Sequence, residues 1–233
     1  MTVSLWLFDF DNTLARLEPV VDWAASRCEL ERLLRHAGAP EPLFQQFPKG
    51  NLVLYEAYRS HLTAMVRRDG GQRAAILLEA SAIIEKYELQ GVDRAVPLSG
   101  AVDILDAIAR TGSSVGIVTS NSSRTVRSWL EKNGAEQSVQ IIVGRDSLLP
   151  LKPAPDMIVE ARKTAGVPAP GTTYVGDTPA DCAAARGAGV SFCGIASTQS
   201  ARDALREAGA SEIFASPAAL ASQKDFSSSP TIR

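Results

Sequence analysis

The sequence predicts an α/β protein, with an open parallel sheet carrying helices on both faces and an all-helical segment interrupting the chain after the first strand. Three observations predict it. Short apolar runs of strand length alternate with helix-period stripes from Val96 onward, the pattern of strands buried on both faces and joined by helical crossovers. One further run of this kind, Val3 to Phe8, stands at the start of the chain. Between it and Val96, from about Pro19 to about Gln90, no strand-like run occurs and the apolar spacing is helical throughout.

The elements follow in order. Val3 to Phe8 is a nearly unbroken apolar run and reads as a buried parallel strand that opens into the loop Asp9-Phe10-Asp11-Asn12-Thr13. Three stripes at i, i+3, i+4, i+7 follow: Leu30, Leu33, Leu34, Ala37; Tyr58, His61, Leu62, Met65; and Ala80, Ile83, Ile84, Tyr87. Gly38-Ala39-Pro40, Pro48-Lys49-Gly50-Asn51 and Asp69-Gly70-Gly71 read as the turns between them. Ser99 is expected to cap a helix bearing Ala101, Ile104, Leu105 and Ile108, with Gly112 at its end. Val115 to Thr119 is a strand, Ser120 to Ser123 caps the helix of Val126, Trp129 and Leu130, and Gln140 to Val143 is a short strand. A helix from Met157 to Ala165, a strand from Thr173 to Gly176, a helix from Ala180 to Gly187 and a strand from Val190 to Cys193 come next. A helix from Ala201 to Ala208 and an edge strand at Glu212 to Phe214 complete the alternation, and the polar tail 223–233 is expected to be disordered. The resulting division is a Rossmann-like core, 1–18 and 96–222, and a helical insert, 19–95.

Composition narrows the function. The 233 residues suffice for one α/β core carrying an insert, and 45% hydrophobic with 21% charged residues is a soluble-globular balance. A net charge of only −2 supplies no field for nucleic acid or an anionic membrane, which leaves a small molecule as the expected partner. No apolar run approaches membrane-spanning length and no signal peptide is apparent, so the cytoplasm is the expected compartment. A monomer or homodimer is the expected state. Cys28, Cys182 and Cys193 lack any Cys-x-x-Cys pairing and read as buried small hydrophobes of a reducing compartment.

The loop after the first strand holds two carboxylates, Asp9 and Asp11, one residue apart. Like charges held close and partly desolvated resist ionising together, so a cation is called for, and Mg²⁺ binds through one or two carboxylates together with waters and phosphate oxygens. In an open parallel sheet, ligands bind beyond the carboxyl ends of the strands. Four polar clusters fall there: Asp9 to Thr13, Thr119-Ser120, Lys152, and Gly176-Asp177-Thr178-Pro179-Ala180-Asp181. A Ser or Thr, a Lys and several carboxylates on one rim form a set suited to phosphoryl transfer, in which cations offset the charge of the phosphate oxygens and a nucleophile is held in line.

These clusters, in this order, resemble the motifs of the haloacid dehalogenase-like (HAD) superfamily: Asp9-x-Asp11-x-Thr13, Thr119 at a strand end, Lys152 in Lys-Pro-x-Pro-Asp, and Gly176-Asp177-x-x-x-Asp181. In length, insert position and the last two motifs the chain resembles the phosphoglycolate phosphatases. The resemblance covers about residues 3–14 and 96–220, and the insert matches the helical cap domain in position and helical character alone. It implies a Mg²⁺-dependent phosphatase of a small phosphorylated metabolite. Asp9 would be the nucleophile, passing through an aspartyl-phosphate, and Asp11 the acid and base. Thr119, Ser120 and Lys152 would bind phosphate. The metal would be held by Asp9, the Asp11 carbonyl, Asp177 and Asp181, with Asp181 either a ligand or an orienter of waters or of Lys152.

Other readings have their own marks. Dehalogenases of this scaffold do not need the second aspartate, and Asp11 is present. A sugar-phosphate mutase differs only in excluding water on cap closure, and a non-enzymatic binding module would be marked by loss of Asp9, Asp11 or Lys152. Lys49, Arg59, Arg67 and Arg68 are candidates to meet an acidic substrate, or a solvated basic face. His61 reads as a half-buried stripe residue and His36 as a complement to a helix end. Gly187-Ala188-Gly189 reads as a helix C-terminus rather than a nucleotide loop.

Overall fold

A computed structural model describes residues 4–64, 70–224 and 226. Six parallel strands, β1 (Leu5–Phe8), β4 (Ser114–Val118), β5 (Ile141–Val143), β6 (Thr172–Gly176), β7 (Ser191–Ile195) and β8 (Glu212–Phe214), lie in the order β5-β4-β1-β6-β7-β8. Strand β1 is central, with Leu5 opposite both Ser114 and Thr172. Its alternating side chains divide the core. Leu5 and Leu7 pack with Met157, Ile158 and Ala161 of α7 (Asp156–Ala165) and with Ala184 and Ala185 of α8 (Pro179–Ala188). Trp6 and Phe8 face the other way, onto Ile104, Leu105 and Ile108 of α5 (Ala101–Arg110) and Val126 and Trp129 of α6 (Ser123–Lys132). A strand sandwiched this way has no wet face, which is why its sequence reads as one apolar run.

Between β1 and α5 the described residues form four α-helices, α1 (Trp23–His36), α2 (Glu41–Gln46), α3 (Asn51–Ala64) and α4 (Gly70–Val92). Leu30 and Leu34, Tyr58 and Leu62, and Ala80 and Ile84 are buried together, so each expected stripe does face its neighbours. Met65, Arg67, Arg68 and Asp69 fall outside the described residues. Gly70 and Gly71 are not a turn but the first residues of α4, and the short α2 was not legible because six residues carry less than two turns of periodicity. The insert is joined to the core by a two-stranded antiparallel pair, β2 (Ala15–Arg16) with β3 (Val96–Pro97).

Three local expectations are corrected. Ser99 caps nothing: α5 starts after Gly100, whose φ of 76° and close approach to Ala218, 2.6 Å from an added Cβ, exclude a side chain there. The element responsible is α10 (Pro217–Lys224), whose Ala218 N–H donates to the Ser99 carbonyl at 2.9 Å. Residues 223 and 224 accordingly belong to a helix, and Phe226 meets Trp6 edge-on at 5.2 Å; 225 and 227–233 lie outside the described residues. Cys28 is exposed, on the outer side of α1, whereas Cys182 and Cys193 are buried. Ser122, by contrast, caps α6 by accepting from the Thr125 N–H, and α8 ends in Gly189 at φ 70°. Among the described residues no helix is long and apolar enough to cross a membrane.

Candidate active site

The chain leaves β1 toward β4 on one side and returns after β5 to β6 on the other, so a crevice opens beyond the carboxyl end of β1. The strand ladders carry on into it, with the Asp9 N–H donating to the Val175 carbonyl (2.8 Å) and the Thr119 N–H to that of Val143 (3.0 Å). All four expected clusters meet there. A cavity of about 680 Å³ is lined by Asp9, Asp11, Thr119, Ser120, Lys152 and Asp177 from the core and, across from them, by Trp23, Arg27, Lys49 and Val53.

Asp9 and Lys152 form the centre. The Lys152 Nζ lies 2.7 Å from an Asp9 oxygen and 2.6 Å from Asp181, and it donates to the Tyr174 hydroxyl at 3.1 Å. Asp181 is fully buried. One of its oxygens meets Lys152 and accepts from the Tyr174 hydroxyl (3.0 Å); the other accepts from the Thr178 N–H (3.0 Å) and hydroxyl (2.6 Å). The same residues make a capping box for α8, and a Cβ on Gly176 would lie 2.6 Å from the Asp181 side chain. The glycine of the Gly-Asp-x-x-x-Asp motif therefore makes room for its last carboxylate.

Asp177 accepts from the Thr13 hydroxyl at 3.2 Å, and oxygens of Asp9, Asp177 and Asp181 lie within 4.8 Å of one another. Burial, with Asp9 and Asp181 adding repulsion, pushes the Asp177 carboxyl up to about 8, and burial raises Asp9 as well. Asp181 moves the other way, lowered by Lys152 and by its hydrogen bonds despite its burial. Three carboxylates share one ammonium, a donor set that fits a hard divalent cation. Asp11 stands at the rim, accepting from the Leu17 and Glu18 N–H groups (3.0 and 3.1 Å), and burial raises its carboxyl to about 6.

The phosphate-loop candidates are held from behind. The Thr119 hydroxyl accepts from the Asn121 N–H (3.2 Å) and donates to the Asn121 side-chain oxygen (3.1 Å). Asn121 in turn donates to Glu88 of α4 at 3.0 Å, and Glu88 is paired with Arg145 at 2.9 Å, both fully buried. Of the four basic candidates in the insert, Lys49 lines the cavity, Arg59 is taken up by Glu56 (2.8 and 2.5 Å), and Arg67 and Arg68 are outside the described residues. His61 is half-buried and stacks on Tyr58, and His36 is exposed in the last turn of α1. Sequence reasoning missed Tyr174, Arg27, Asn121, Glu88 and Arg145. Tyr174 was hidden inside a strand pattern, whereas Glu88 continues the buried stripe of Ala80 and Ile84 at i+4, and a carboxylate at such a position was the available signal.

A sheet of this order with this rim defines a hydrolase of the HAD type, and comparison with known proteins agrees. The model of the family "Haloacid dehalogenase-like hydrolase" matches residues 43–195, well over half of the chain, and the protein belongs to that family of enzymes. That match includes Thr119, Ser120, Lys152, Asp177 and Asp181 and begins after Asp9 and Asp11. Within the family it is phosphoglycolate phosphatase-like. A phosphoglycolate phosphatase from Rhodospirillum rubrum is 26% identical over 89% of this chain and 85% of its own, and one from Xanthomonas campestris pv. campestris is 29% identical over 79% of each. Among solved structures, CbbY from Rhodobacter sphaeroides in complex with phosphate shares the fold with a TM-score of 0.63 and 20% identity, over 94% of this chain and 96% of its own. A hydrolase from Pseudomonas syringae does so with 0.63 and 22%, over 97% and 100%.

Proposed function

We propose that the protein is a Mg²⁺-dependent phosphatase that hydrolyses a small phosphomonoester through an aspartyl-phosphate on Asp9, with phosphoglycolate, named in its curated relatives, as the first substrate to try. The observation that carries this is the Asp9 carboxylate, facing the cavity at the end of the central strand with Lys152 at 2.7 Å.

In this reading Asp9 attacks phosphorus, which divides one hard displacement into two easier ones. Asp11 protonates the leaving alkoxide and then takes a proton from the water that attacks the aspartyl-phosphate, two roles that suit a carboxyl raised to about 6. Lys152 offsets charge on the phosphoryl oxygens, and the Thr119 hydroxyl turns from Asn121 to donate to one of them, joined by the Ser120 N–H. Asp9, Asp177 and the Asp11 carbonyl would hold Mg²⁺, which supplies charge neutralisation on the phosphoryl oxygens. Asp181, its oxygens already engaged, serves as the counter-ion that orients Lys152.

Residues 19–95 serve as a cap over the core 1–18 and 96–222. Lys49 is the basic side chain of the cap best placed for an acidic leaving group, since it lines the cavity, whereas Arg27, which also lines it, is paired with Glu31 and Arg59 is bound to Glu56. The test is a screen of phosphorylated metabolites for released phosphate, with Mg²⁺ and with excess chelator. Release that needs Mg²⁺ and favours a phosphorylated carboxylate is expected. Undiminished release in chelator, or transfer of the phosphoryl group between sugar positions without release, would overturn the reading.

A further inference from the structure

Glu88 is fully buried in the last turns of α4, far in sequence from every motif of the site, and its carboxylate is saturated by hydrogen-bond donors. One oxygen accepts from the Asn121 amide (3.0 Å) and from Arg145 (2.9 Å); the other accepts from the Ser122 N–H (3.1 Å), the Thr125 hydroxyl (3.0 Å) and Arg145 again (3.3 Å). Arg145 is equally buried. It also donates to the Ser120 carbonyl at 2.7 Å and to the hydroxyl and carbonyl of Ser81, one and a half to two turns earlier on α4. Burying two full charges is costly, and an apolar pair of like volume would do as well for stability alone. What this pair does that an apolar one could not is hold polar atoms of one short loop. Asn121 through its side chain, Ser122 through its N–H and Ser120 through its carbonyl all end on it. Neither charged residue lines the cavity.

We propose that the Glu88–Arg145 pair is the positioning device for the phosphate-binding loop 119–122, so that a helix of the insert sets how tightly the core grips a phosphoryl group. The proposal rests on the reading that Thr119 and Ser120 hold that group. The Asn121 side chain, fixed by Glu88, gives the Thr119 hydroxyl its resting acceptor, and its own N–H fixes the Thr119 oxygen. Arg145, by taking the Ser120 carbonyl, sets the peptide plane that follows Ser120. With the pair broken, the loop loses its hold on three successive residues while Asp9, Asp11 and Lys152 stay where they are. Binding of phosphate should therefore suffer more than the chemistry.

The experiment uses the full chain with p-nitrophenyl phosphate as substrate and inorganic phosphate as competitive inhibitor. Glu88→Gln keeps the shape and removes the charge, and Arg145→Lys keeps a cation opposite Glu88 while losing the fork to Ser120 and Ser81. In each, the inhibition constant for phosphate and KM are expected to rise together by about tenfold, with kcat changed less than about threefold. A merely structural role would lower the melting temperature and leave the inhibition constant alone, and that result in either folded variant overturns the proposal. If Glu88→Gln does not fold, Arg145→Lys decides. A wild-type protein without phosphate-inhibited hydrolysis would instead sink the reading of the site, whereas an active wild type with unaffected variants sinks this inference alone.

Discussion

Two buried charge clusters lie at the carboxyl edge of the same sheet, and they are built oppositely. Around Lys152, three carboxylates share one ammonium, and Asp9 and Asp177 are pushed toward the protonated form. Around Glu88, one carboxylate meets one guanidinium, and each oxygen is filled by donors. The first cluster opens on the cavity, where a ligand can supply the missing positive charge; the second is sealed and asks for nothing. An unbalanced cluster is a place for binding, and a balanced one is a place for holding.

The largest effect that would break this contrast is on turnover. Asp9→Asn should abolish the covalent intermediate and reduce kcat on the order of 10⁴-fold or more, while Asp11→Asn should spare phosphate binding more than turnover. Steady-state rates and trapping of the phosphorylated protein check both, and near-normal rates in the two variants would remove these roles. Next is Lys152→Met, which leaves Asp9 and Asp181 facing each other without a cation. Denaturant unfolding in chelator should show a loss of about 3–5 kcal/mol, partly restored by Mg²⁺.

The pH dependence sharpens the comparison further. Burial and the neighbouring carboxylates push the Asp177 carboxyl up from an ordinary 3.8 to about 8, so the metal-free folded protein binds a proton that the unfolded chain releases. Its contribution to stability is whole below about pH 4 and is lost as pH rises toward about 8. Asp181, lowered, acts only at the acid end, and Lys152, raised, only at the alkaline end. Melting temperature in chelator should fall between about pH 5 and 8, and added Mg²⁺ should raise it more at the upper value. A flat profile would mean that the carboxylates are not crowded. The smallest effect concerns caps: Ser122→Ala should cost about 1 kcal/mol and Ser99→Ala less than about 0.5 kcal/mol, because only the first side chain accepts a helix N–H.

The contrast also marks what could be read in advance. Asp9, Asp11, Thr119, Ser120, Lys152, Asp177 and Asp181 were legible because each follows a strand or turn whose local pattern is clear, and parallel strands put such positions on one rim. Glu88 and Arg145 were not. A glutamate in an amphipathic helix and an arginine after a strand are ordinary, and only their meeting across 57 residues makes them a pair. That meeting bears on the insert as well: cutting out residues 19–95 would take from Arg145 both Glu88 and Ser81, so the insert is tied to the core at more than its two connections.

Sequence alone determined the alternation of strands and helices, the helical character of the insert and the residues of the rim. These follow from the period of apolar residues and from the chain's short-range turns, which neighbouring residues set. Tertiary structure decided the rest: the packing of α10 against Ser99 and of Phe226 on Trp6, the Tyr174 hydroxyl between Lys152 and Asp181, and the sealed pair behind the loop 119–122. Each of these is a contact between segments distant along the chain, and its energy comes from burial and hydrogen bonds that exist only once the sheet has brought those segments together.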